Sequence, residues 1–132
     1  MVIMSASQAE EGGPIPLTRS RAMLKESDYV KIQVATPATN AAAMREALGQ
    51  VGAGVQGKYK FCSGSWRAIG RFIPISGAKP AIGETGKLEE VEEEVIQTIC
   101  HKDKVAEVVA AIRKVHPYEE PPIDIMPRYE LK

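Results

Sequence analysis

The sequence predicts an α+β fold: a βαββαβ chain whose four strands form one antiparallel sheet with both helices on one face. Three observations carry that prediction. Apolar residues alternate in one segment, three further segments have strand character from their β-branched or proline- and glycine-bounded composition, and two others show a helical period. Prolines and glycines punctuate the intervals between them. The 132 residues suffice for one hydrophobic core and are too few for two ordinary domains.

Taken in order, residues 1–27 hold small, polar and helix-breaking residues without sustained periodicity, so a disordered tail is expected there and one domain over 28–132. In "DYVKIQVATP", Val30, Ile32 and Val34 alternate with Tyr29, Lys31 and Gln33, the pattern of a half-buried strand, and Pro37 ends it. Thr39 or Asn40 can cap the helix that follows. Its apolar stripe is Ala43, Met44, Ala47, Leu48 and Val51, and Gly52 and Gly54 supply the stop. "GKYKFCSGSWRAIGRFIPISG" reads as a hairpin or a long bent strand, with a turn or bulge expected at Gly64 and Gly70. "AKPAIGETGK" is a loop. In "LEEVEEEVIQTIC" the acidic start is compatible with a helix, but the β-branched end and the clear helix behind it favour a strand. Asp103 is a plausible cap for that helix, Val105, Val108, Val109 and Ile112 form its stripe, and Pro117 terminates it. "PPIDIMP" is a short strand between prolines, which belongs at a sheet edge. The order strand, helix, strand, strand, helix, strand is the ferredoxin-like arrangement, a fold that hosts many activities and so does not name one.

Composition removes several function classes. Seventeen basic and 17 acidic residues balance, unlike the basic excess of most nucleic-acid binders. Trp66 with Arg67 and Arg71 could stack on a base, but the chain has too few aromatics for a ferredoxin-like RNA binder. No apolar run approaches a membrane span, and the opening residues lack the charged start and apolar core of a secretory signal. "TRSRAMLK" has a slight transit-peptide character, against which Glu10 and Glu11 count. Cys62 and Cys100 fit free thiols in a reducing cytoplasm, with Cys62 expected to be a small buried residue.

The densest chemistry is "HPYEEPPIDI", residues 116–125. Its plain reading is a helix stop: His116 favours the helix C-terminus electrostatically, and Pro117 pushes it out of helical geometry. Its functional reading is a bend that aims His116 and the Glu119 or Glu120 carboxylate at one point, as a divalent-metal site or an acid–base pair. "GAKPAIGETGK" fails the phosphate-loop pattern, because Leu88 follows Lys87, but its amides and Lys87 could form a general anion site. "LEEVEEE" is most simply a solvated acidic face.

The blocks "YVKIQVATP", "REALGQVGAG", "GKYKFCSGSWRAIGRFIP", "GAKPAIGETGKLEEVEEE" and "HPYEEPPIDI" together resemble the PII/CutA-like domain inserted in bacterial Nif-three-like proteins, a dinuclear-metal-centre family often labelled as type-two GTP cyclohydrolase-like. The resemblance covers nearly all of residues 29–132, and "IGETGKLEEVEE" and "HPYEEP" are its most specific blocks. It implies the insert alone: the metal-centre residues of that family lie in flanking segments that have no counterpart here, so their hydrolase activity is not expected. PII and CutA relatives form trimers and bind small ligands or metal ions. The resemblance therefore implies a small homo-oligomeric regulatory or ligand-binding domain, without catalysis, a trimer before a dimer; the cysteines, balanced charge and lack of an apolar span add the expectation of a soluble cytoplasmic protein with no nucleic-acid or membrane partner. Its matching positions are Gly83, Glu84, Gly86, Lys87 and Tyr118 for a ligand, and His116, Glu119 and Glu120 for a divalent metal ion, the one cofactor expected. A metal-dependent enzyme using His116 and nearby acids, and a structural interaction module, are the alternatives.

Overall fold

A computed structural model describes residues 23–131. The elements run β1 (Leu24–Pro37), α1 (Ala41–Gln50), β2 (Gly64–Phe72), β3 (Glu89–His101), α2 (Val105–Val115) and β4 (Ile123–Leu131), with a single 3₁₀ turn before each helix. The sheet order is β2-β3-β1-β4 and every pair is antiparallel, which is the expected α+β architecture.

Alternation decides which face each strand residue joins. Ile32 and Val34 of β1 and Ile96 and Cys100 of β3 meet Met44 and Leu48 of α1 and Val108 and Ile112 of α2 in one buried core. Ala41, not Ala43, completes the α1 stripe. The opposite sheet face carries no helix of the described residues. There Gln97 donates to Gln33 across the central pair at 2.9 Å, and the Tyr29 and His101 rings meet edge to face.

Helix α1 ends as expected at Gly52. Its φ of +94° suits glycine, and the Ala53 and Gly52 N–H groups bond back to the Leu48 and Gly49 carbonyls, the paired bonds of a glycine-terminated helix. Neither expected N-terminal cap forms. Asn40 makes no capping bond, and before α2 it is the His101 ring, not Asp103, that accepts, taking the Asp103 N–H at 3.2 Å.

Three strand expectations change. First, β1 starts at Leu24, inside the expected tail, whose residues 1–22 lie outside the described residues. Leu24, Lys25 and Glu26 pair with Leu131, Glu130 and Tyr129, and the register then shifts before Val30. Ser27 holds that bulge: its hydroxyl accepts the Tyr29 N–H at 3.0 Å and donates to Glu130 at 2.8 Å. Periodicity alone missed the segment because a bulge breaks the alternation. Second, β4 lies at the edge as expected but runs on to Leu131, with Pro127 placed where β1 resumes pairing at Val30. Third, β2 has an unbroken register through Gly70. A Cβ at Gly70 would stand 2.0 Å from the Glu93 carboxylate, so this glycine makes room for a side chain and does not bend the strand.

Candidate functional site

Helix α2 delivers the first site residue. Pro117 denies His116 helical geometry, and His116 adopts φ −77° and ψ 130° while its N–H still bonds the Ile112 carbonyl at 2.9 Å. That bend turns the imidazole inward, where it is 7% exposed. Nε2 lies 2.7 Å from the Ala35 carbonyl, and Nδ1 is 3.1 Å from the Tyr118 N–H. A carbonyl only accepts and an N–H only donates, so Nε2 carries the hydrogen and Nδ1 is the acceptor. The ring is the neutral tautomer with both nitrogens engaged. Burial lowers its pKa below the ordinary histidine value, partly opposed by the Ala35 bond and the nearby Glu93 charge.

Two residues on, Tyr118 donates its hydroxyl to Glu93 Oε2 at 2.7 Å and packs edge to face on Phe72. Burial, then the bond to Glu93 and its charge, raise the phenol pKa far above its usual value. Glu93 is only 6% exposed. It stands in the same phase of β3 as Val91 and Val95, on the face without helices. Glu119 accepts the Lys79 N–H at 3.0 Å and so ties the exit of α2 to the 73–88 loop. That loop is further held by the Gly86 N–H on the Pro74 carbonyl at 2.8 Å.

These contacts enclose a cleft of about 500 Å³, within the range of small-molecule sites. Ile73, Pro74, Ile75 and Ile82 wall it on the loop side, Phe72 and Tyr118 give it aromatic surface, and Glu93 lies at its base. Of the expected site residues, Tyr118, Glu119 and Glu120 line this cleft. Gly83, Glu84, Gly86 and Lys87 do not: the glycines make positive-φ turns, and Lys87 and Glu84 pair with each other in solvent at 2.7 Å. His116 does not line the cleft but packs its ring 4.9 Å from that of Tyr118, which does, and as a metal ligand it has no free nitrogen in this arrangement. No group of three or more His, Cys, Asp or Glu side chains able to hold a metal ion occurs among the described residues. Glu93 and Phe72 were missed by sequence reasoning.

Other expectations resolve by geometry. Trp66 pairs opposite Val95, and Arg67 and Arg71 pair opposite Glu94 and Glu90, so the tryptophan and the arginines occupy opposite faces and cannot hold one base. Both cysteines are free thiols. Cys100 is buried, and burial raises its pKa, while Cys62 is half-buried and not enclosed as expected. Among the described residues, no helix is long and apolar enough to cross a membrane.

The neutral His116 has a consequence for stability. Its folded-state pKa is depressed, so the unfolded chain takes up the proton first as pH falls below about 6.5. Stability is therefore full above that pH, declines as pH falls through it, and levels off below the folded-state pKa. Urea midpoints at pH 7.5 and pH 5.5 are expected to separate in the parent and to draw together in His116→Gln. A gap of the same size in both proteins would place the acid sensitivity elsewhere.

The sheet order and the two helices on one face define a CutA/PII-like α+β fold. The periplasmic divalent cation tolerance protein CutA from Archaeoglobus fulgidus has this fold, with a TM-score of 0.55 at 19% identity over 76% of this chain and 83% of that one. In sequence, the chain is similar to one part of NIF3-related proteins. It is 46% identical over 102 residues to a GTP cyclohydrolase 1 type 2 homolog of Halalkalibacterium halodurans, covering 77% of this chain and 27% of that protein. The crystal structure of a Bacillus cereus protein related to NIF3 matches with a TM-score of 0.67 and 37% identity, over 80% of this chain and 26% of that one. The chain thus spans about a quarter of the length of the relatives it matches. No family model matches it.

Proposed function

We propose that this chain is a non-catalytic, ligand-binding regulatory domain that works as a homo-oligomer, a trimer before a dimer, in the cytoplasm. The observation that carries the reading is the cleft beneath the 73–88 loop, where apolar walls surround a buried carboxylate. A binding site needs a concave apolar surface with a few fixed polar groups. Catalysis would need in addition a nucleophile or a base free to act, and both His116 nitrogens are engaged while the Tyr118 phenol holds its proton tightly. The activity in the relatives' name is that of proteins about three times as long, and it is not transferred here. Assembly is supported by the helix-free sheet face, where Tyr29 and Trp66 are exposed, and by the open edge strands β2 and β4. A divalent metal ion would meet the exposed Glu119 and Glu120 carboxylates, one already bonded to Lys79, so an organic ligand is the better fit. Native mass spectrometry of protein purified without chelator tests the reading. Particles of two or three chains, with a retained small molecule, are expected. Bare monomers at micromolar concentration would count against both assembly and retention, and a stoichiometric metal adduct would restore the metal expectation.

A further inference from the structure

The base of the cleft carries more chemistry than a generic apolar pocket needs. Glu93 is 6% exposed, and Tyr118 donates to its Oε2, but among the described residues no donor reaches Oε1. Oε1 lies over the bare Cα of Gly70, where even a methyl group would come within 2.0 Å. The fold has thus cleared space beside one carboxylate and left one of its oxygens open to a cavity. An acceptor that opens on a cleft and has no protein donor is free to take a hydrogen bond from whatever fills the cleft. The other charges of the lining point the same way. Glu119 and Glu120 stand at the rim, and the lining cation, Arg71, lies 3.7 Å from Glu90. The Phe72 and Tyr118 rings, with centroids 6.0 Å apart, offer π-faces that attract cations and flat groups.

We propose that the cleft selects flat, donor-rich nitrogen ligands, amidines or amino-heterocycles, whose N–H edge meets Glu93 while the ring lies against Phe72 and Tyr118. This rests on the ligand-binding reading above and sharpens it by naming the chemistry. A carboxylate has room for such an edge even with Tyr118 in place, because each oxygen can accept more than one hydrogen bond. An acceptor-only ligand of the same shape would bring a second negative charge to a buried one.

Benzamidine and benzoate share a ring and differ in that edge, so they serve as probes. Each is titrated into the full chain, with binding read from chemical-shift changes of the cleft residues. The parent is expected to bind benzamidine at least about tenfold more tightly than benzoate, the discrimination a charged hydrogen bond supplies. Glu93→Gln keeps an acceptor for the Tyr118 hydroxyl and removes the charge, and should abolish that preference. Gly70→Ala leaves the charge on the chain but pushes Oε1 from its place, and should do the same. Equal affinity for the two probes in the parent, or an unchanged preference in both variants, would overturn the selectivity while leaving the cleft a binding site. Neither probe perturbing the cleft residues would overturn the selectivity and the ligand-binding reading together.

Discussion

Gly54→Ala should lower the stability of this protein by about 2–5 kcal/mol, the sum of a left-handed backbone penalty and an overpacking penalty. Gly54 has φ +76°. Its N–H bonds the Ile99 carbonyl at 2.7 Å, and its carbonyl accepts the Cys62 N–H at 2.9 Å. Pairing between β2 and β3 stops at Gly64 and Gln97, so Gly54 takes over the edge of β3 where β2 ends. A methyl group here would come within 2.4 Å of the Cys62 carbonyl oxygen and 2.8 Å of its nitrogen. Backbone atoms held in a hydrogen-bonded loop have little freedom to move aside, unlike the Glu93 carboxylate over Gly70. Urea unfolding of the variant measures the loss. A loss under about 1 kcal/mol would mean that the 51–63 loop peels away at little cost.

Ile112→Ala is expected to cost about 2–5 kcal/mol, the range for emptying a fully buried branched side chain. Ile112 is 0% exposed and packs in the core with Val108, Ile32 and Ile96. Its carbonyl also receives the His116 N–H, so the cavity would open beneath the turn that aims His116 at Ala35. Two readouts should therefore move together: the denaturation midpoint, and amide-exchange protection at His116 and Tyr118. If protection there stayed at the parent's level while the midpoint fell, the helix exit would be held by the proline and the histidine ring alone.

Elements whose physics is local were legible from sequence. The period-two apolar pattern placed β1, β-branched content placed the end of β3, and the X-Pro restriction put His116 outside the helix. The site was legible only in part. Tyr118, Glu119 and Glu120 stood out as a dense motif, but Glu93 was hidden in "LEEVEEE", where five acids and two apolar residues read as a solvated face. The signal was its phase: an acid in step with Val91 and Val95 sits on a strand's apolar side and needs a partner or a purpose. Gly83, Glu84, Gly86 and Lys87 drew attention as a motif, yet their spacing encodes turns. Which loop residue faces a cleft depends on tertiary closure, here on the Glu119 to Lys79 bond across 40 positions of sequence. The bulge at Ser27 escaped for a related reason, since its stabilising partner, Glu130, lies 103 residues away.

That bulge leads into a narrow ribbon in which Leu24 stands opposite Leu131, a separation of about 5 Å in an antiparallel pair. Entrance and exit of the fold therefore share one doorway. A host chain could take up the whole unit at a single exposed loop without stretching to span it, which is the geometry that lets domains be spliced into other proteins. The same layout sets the mechanics. Tension carried through those two ends would load the ribbon rung by rung from Leu24 and Leu131 inward, in an unzipping mode. The Ser27 pin would be the first point of real resistance before the force reached the sheet.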